Sequence, residues 1–144
     1  MPVVDASVVV DWVAPGSDET GPARRVLERM VRDDLPLLGP RLLSVEVANA
    51  LVTGVRRGRW DGSAADAAFE LLRQMPIEHQ DQPADLERAW DLSRRYDQHP
   101  VYDMLYVAVA QRAEDVLITA DQRLRVKTTG LGMVVAPEEW LARA

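Results

Sequence analysis

Short apolar runs alternate with longer helical patterns along this chain, and that alternation leaves few folds open. The runs PVV at 2–4, LPLL at 35–38, VLIT at 116–119 and MVV at 133–135 are strand-sized. The stretches between them carry apolar residues at helical spacing. Strands that alternate with helices assemble into a parallel sheet covered by helices on its faces. Residues 77–79, just after Pro76, offer a weaker strand. The reading is about five strands and six or seven helices in one doubly wound, mostly parallel sheet, a single α/β domain over residues 1–144.

The helical stretches have recognisable faces and stops. Residues 6–13 end at Ala14-Pro15-Gly16, and residues 41–56 end in a basic turn at Arg57-Gly58. Residues 20–32 put Ala23, Val26, Leu27, Met30 and Val31 on one face. Residues 63–75 do the same with Ala64, Ala67, Ala68, Leu71, Leu72 and Met75, and Ser63 with Asp66 resembles a capping box. Residues 84–97 bring Leu86, Ala89, Trp90 and Ser93 into register. Residues 101–110 are apolar nearly all round, which predicts a buried central helix. Residues 121–127 form a short helix, and Pro137 opens a terminal one.

Composition removes several function classes. There is no cysteine, so neither a disulfide nor a thiolate metal site can form. The start of the chain has no basic segment before its apolar residues and makes a poor signal peptide. No apolar run is long enough to cross a bilayer, and the lack of cysteine fits a reducing cytoplasm, so a cytoplasmic protein without membrane contact is expected. A net charge of −6 argues against a general nucleic-acid coat. Two arginine clusters, Arg24, Arg25, Arg29 and Arg32, then Arg56, Arg57 and Arg59, can still hold a phosphate backbone locally, although a solvated helix face and a basic helix C-terminus are the plainer explanation. Trp60 beside the second cluster suits an interhelix anchor better than a base-stacking platform.

Four carboxylates interrupt or end apolar runs: Asp5, Glu46, Asp103 and Asp121. Asp5 and Asp121 directly follow strands, at the carboxyl edge where open α/β sheets bind ligands. Asp103 falls in the first turn of the buried helix, just after Pro100. Each of these three has an ordinary explanation as a cap or a dipole partner. Glu46 has the weakest ordinary explanation: it lies mid-helix among Leu42, Leu43 and Ala50, with Asn49 placed to orient it. Like charges ~4 Å apart cost about 4 kcal/mol per pair at an effective dielectric near 20. A converged set therefore calls for protons or a divalent cation, and all-oxygen ligation favours Mg²⁺ or Mn²⁺.

Such a site suits phosphodiester hydrolysis. Asp5 and Asp103 are the first choices as direct ligands, with Glu46 and Asp121 completing the set directly or through water. The hydroxyls of Ser7 and Thr119 are placed to support the carboxylates. His99, four residues before Asp103, and His79 are not expected to act in catalysis. A phosphatase-type D-x-D is absent, since Ala6-Ser7 follows Asp5, and the lone Lys127 argues against a receiver domain.

The segments VVDASVVV, PRLLSVEVANAL, VYDMLYVAVA and TADQRL, in this order, resemble the four acidic motifs of PIN domains, most closely the VapC-type toxins of toxin–antitoxin pairs. The resemblance covers essentially the whole chain. It implies a three-layer α/β/α ribonuclease requiring Mg²⁺ or Mn²⁺, with Asp5, Glu46, Asp103 and Asp121 as its acids and Ser7 as the hydroxyl after the first. It further implies a VapB-like antitoxin, a homodimer, and a structured RNA target such as tRNA or rRNA. The competing reading is a catalytically silent PIN-fold module that only binds a partner.

Overall fold

The computed structural model describes residues 1–143. Five strands, β1 Val3–Val4, β2 Leu37–Gly39, β3 Ile77–His79, β4 Leu117–Ile118 and β5 Val134–Val135, form one sheet in the order β3-β2-β1-β4-β5. Every pairing is parallel, a stricter result than the mostly parallel sheet expected. The chain runs outward from β1 to β3, then returns to lay β4 on the other side of β1. Val3 and Val4 pair with Leu117 and Ile118, so the ends of β1 and β4 flank the switch point.

The helices are α1 Ala6–Val13, α2 Pro22–Arg32, α3 Leu42–Arg56, α4 Gly62–Gln74, α5 Pro83–Arg95, α6 Val101–Arg112, α7 Gln122–Lys127 and α8 Pro137–Leu141. Helices α1 to α4 pack on one another, with α8 against α2, while α5 and α6 form a tight separate pair. Right-handed crossovers in opposite directions from β1 require two such layers. Helix α6 packs on β1 and β4, and its Met104, Tyr106, Val107, Ala108, Val109 and Ala110 are all buried, as its all-round apolar sequence requires.

Several local expectations shift, each for a physical reason. The second strand starts at Leu37, not 35, because the Leu35 N–H bonds back to the Met30 carbonyl through a turn with Asp34 at φ 52°. Helix α4 is capped by Asp61, whose Oδ1 accepts from the Ala64 N–H at 2.8 Å, so Ser63 is no cap. Its buried face is Ala65, Ala68 and Leu72, and Leu71 is exposed. Helix α2 buries Val26 and Met30 but leaves Val31 in solvent.

Helix α5 departs furthest. Leu86 and Trp90 are exposed, while Asp85 turns inward. Arg112 of α6 takes that carboxylate with two bonds of 2.9 Å, and the Gln82 N–H adds a third. A charge-assisted fork outweighs apolar periodicity here.

Two of the four arginines of α2, Arg24 and Arg29, are structural. Arg29 lies over the Trp140 ring and donates to the carbonyls of Trp140 and Leu141; Arg24 donates to the Trp12 carbonyl. Trp60 is an anchor. Its Nε1–H donates to the Leu51 carbonyl, and its ring lies so close to Gly54 that a Cβ there would overlap it. Among the described residues no helix is long and apolar enough to cross a membrane.

Candidate active site

The site grows from the ends of β1 and β4. Asp5 is the residue after β1 and caps the entry to α1; it is only 6% exposed. The parallel register sets Thr119 beside it, and the Thr119 hydroxyl donates to Asp5 Oδ2 at 2.7 Å. Ser7, one residue into α1 from Ala6, donates to the same oxygen at 2.7 Å. Ser7 Oγ also accepts from the Ala120 N–H, and Thr119 Oγ1 accepts from the Asp121 N–H. Two hydroxyls therefore bind the first acid to the loop bearing the last.

Burial pushes the Asp5 carboxyl above its usual range; the two hydroxyl bonds oppose that and the Asp103 charge reinforces it. Glu46 is also raised, first by burial, against a hydrogen bond from Tyr106, then by the charges of Asp5 and Asp103. Asp5 after β1, Glu46 in α3 and Asp103 in α6 thus lie within electrostatic reach of one another. None of Asp5, Glu46 and Asp121 has an ion-pair partner among the described residues.

Asn49 does not orient Glu46: it is exposed, and the donor to Glu46 Oε1 is the fully buried Tyr106 hydroxyl. Asp103 Oδ2 lies 2.6 Å from His99 Nε2, a partner not expected from sequence. Asp121 caps α7, its Oδ1 accepting from the Arg123 and Leu124 N–H groups. Asp103 and Asp121 line an open cleft of about 860 Å³ with His99, Arg123 and Lys127.

One pattern unites the four acids. Each is held through one oxygen: Asp5 Oδ2, Glu46 Oε1, Asp103 Oδ2 and Asp121 Oδ1. The second oxygen of each has no side-chain donor among the described residues. Among the described residues, no three acid or imidazole side chains close on a single point as a ready metal cage. The donor set nevertheless fits a hard cation, because Mg²⁺ is usually held by one or two carboxylates and keeps several waters. Buried Asp5 and half-buried Glu46, which repel each other and Asp103 and have no cationic side-chain partner among the described residues, point the same way.

A doubly wound parallel sheet with acids gathered at its switch point defines a class, and the comparisons with known proteins agree on it. Residues 3–128 match the model of the PIN domain, and the chain belongs to that family. It is 38% identical over 122 residues to Ribonuclease VapC3 of Mycobacterium tuberculosis, covering 85% of this chain and 83% of that protein. Ribonuclease VapC1 of the same organism is 33% identical over 123 residues, covering 85% and 86%. In fold it is similar to PAE2754 from Pyrobaculum aerophilum, with a TM-score of 0.70, 24% identity, and coverage of 99% of this chain and 93% of that one. FitAcB from Neisseria gonorrhoeae gives a TM-score of 0.66 at 16% identity, covering 96% and 99%.

Proposed function

We propose that this chain is an endoribonuclease of the VapC type, the toxin of a VapBC-like pair, which hydrolyses phosphodiester bonds in structured RNA such as tRNA or rRNA with Mg²⁺ or Mn²⁺. The observation that carries the reading is Asp5: a carboxylate 6% exposed at the sheet's switch point, facing other acids without a cationic partner. The VapC relatives, both named ribonucleases, support RNA as the substrate.

Asp5 and Asp103 would hold the cation directly, with Glu46 and Asp121 contributing directly or through water. A cation held there would supply charge neutralisation at the phosphoryl oxygens and a lowered pKa for an attacking water. The chain's own residues do the rest. Ser7 and Thr119 fix the Asp5 carboxylate, Tyr106 fixes Glu46, and Oε2 of Glu46 is left to accept a proton. Arg123 and Lys127, one helical turn apart, supply phosphate contacts in the cleft that Asp103 and Asp121 line. An apolar groove of about 500 Å³ between α3 and α4, lined by Leu51, Val52, Val55 and Phe69, suits an amphipathic antitoxin helix. A homodimer is part of the same proposal.

Incubation of antitoxin-free protein with a panel of structured RNAs tests the reading. Cleavage is expected with Mg²⁺, lost with chelator and restored by adding the ion back. Asp5→Asn and Asp103→Asn should each abolish it; variants that cut as well as the native chain would show that the site is elsewhere.

A further inference from the structure

The turn between α5 and α6 has features that hydrolysis does not require by itself. Asp97 and Gln98 are consecutive non-glycine residues with φ of 62° and 60°. Side chains rarely tolerate that backbone, so the surrounding structure must impose it. The imposing contacts are present: the Gln98 N–H donates to the Ser93 carbonyl at 2.8 Å and the His99 N–H to the Tyr96 carbonyl at 3.2 Å.

The strained turn delivers two side chains in opposite senses. The His99 side chain, 11% exposed, places Nε2 at 2.6 Å from Asp103 Oδ2. Asp97 accepts from Lys127 Nζ at 3.0 Å, and Lys127 ends the helix that Asp121 caps. One turn therefore touches both elements whose acids line the cleft.

We propose that His99 is a positioning residue for Asp103. Its Nε2–H holds Oδ2, which stops the carboxylate rotating and leaves Oδ1 as the oxygen offered to a ligand. The strained backbone at Asp97 and Gln98 is the device that brings the imidazole there. Carboxylates that bind metals depend on outer partners of this kind. The inference rests on the cation-dependent reading above, and it adds a residue that the four acids alone do not reveal.

The test is Mn²⁺ affinity of the purified full chain, followed by calorimetry and by electron paramagnetic resonance. His99→Ala should weaken Mn²⁺ binding about tenfold. His99→Gln, which keeps an N–H donor at similar reach, should recover most of that loss. His99→Asn is too short to reach and should behave as the alanine does, and it substitutes for alanine if that variant fails to fold. In an Asp103→Asn background, His99→Ala should add nothing, because its effect runs through Asp103.

Native affinity in His99→Ala, or losses that simply add in the double variant, would overturn the proposal. So would a nitrogen coupling to Mn²⁺ in the native protein that vanishes in His99→Ala, since that makes His99 a ligand. Failure of the cation reading looks different: the native chain would bind no Mn²⁺, or Asp5→Asn and Asp103→Asn would bind it normally, and either result removes the basis for a positioning role.

Discussion

Asp5 and Asp85 are both 6% exposed, yet the fold treats them in opposite ways. Asp85 lies under shallow cover between α5 and α6, where the Arg112 fork and the Gln82 N–H hold its carboxyl below the usual range. Asp5 lies deep at the sheet's carboxyl edge with two hydroxyls and no cationic side chain beside it among the described residues, and burial raises it. A paired acid fastens two helices together. An unpaired acid among other acids costs stability and is retained where a ligand supplies the missing charge.

The largest effect expected from disturbing this contrast is on activity. Asp5→Asn keeps the size and the acceptor for Ser7 and Thr119 but removes the charge, and RNA cleavage should fall by about a thousandfold or more. Retained cleavage would put Asp5 outside the chemistry. Next in size, Arg112→Ala should leave Asp85 as an unpaired carboxylate and destabilise the fold by about 2 kcal/mol in urea titration. A neutral result would mean that the fork contributes little beyond the packing of α5 on α6.

The acid-side pH dependence should then separate the two regions. Asp85 is lowered from its ordinary 3.8, so its contribution is present above that value and lost as pH falls through the folded value. Asp5 is raised from 3.8, so in metal-free protein the fold is favoured below that value, and the benefit is lost as pH rises through the higher folded value. Asp85→Asn should flatten the loss of stability at low pH, whereas Asp5→Asn should remove the opposing slope. Denaturation at a series of pH values reads both, and equal profiles for the two variants would erase the contrast.

The smallest effect belongs to the cleft. Removing Arg123 or Lys127 should reduce the salt dependence of RNA binding by about one unit of slope each. The measurement is best made in the Asp5→Asn background, so that cleavage does not intervene. An unchanged slope would place the RNA path elsewhere, and the exposed Arg56, Arg57 and Arg59 would be the next residues to vary.

Much of this contrast is visible in the sequence, but only its unpaired half. Carboxylates ending apolar runs flag Asp5 and Asp121, and a mid-helix acid on an apolar face flags Glu46. The hydroxyls of Ser7 and Thr119 are near enough to those acids in sequence to be noticed. Tyr106 is 60 residues from Glu46 and hides in an apolar helix, so no local pattern links them. Asp85 and Arg112, 27 residues apart, read as two surface charges until α5 and α6 pair. Apolar periodicity assigns the inward face of α5 to Leu86 and Trp90 because it cannot register a charge that faces inward with its partner. His99 precedes Asp103 by one helical turn, yet Pro100 between them suggests a break, and the strained turn that overcomes it depends on φ values that sequence does not display.

Thermal melting of the native chain and Asp5→Asn, each with and without millimolar Mn²⁺, tests the central claim most directly. An acid retained for a ligand predicts a native melting temperature that rises with Mn²⁺. It also predicts an Asp5→Asn variant that melts a few degrees higher than the native chain without metal and responds little when metal is added. A native curve that ignores Mn²⁺, or a variant that responds as strongly as the native chain, would contradict it.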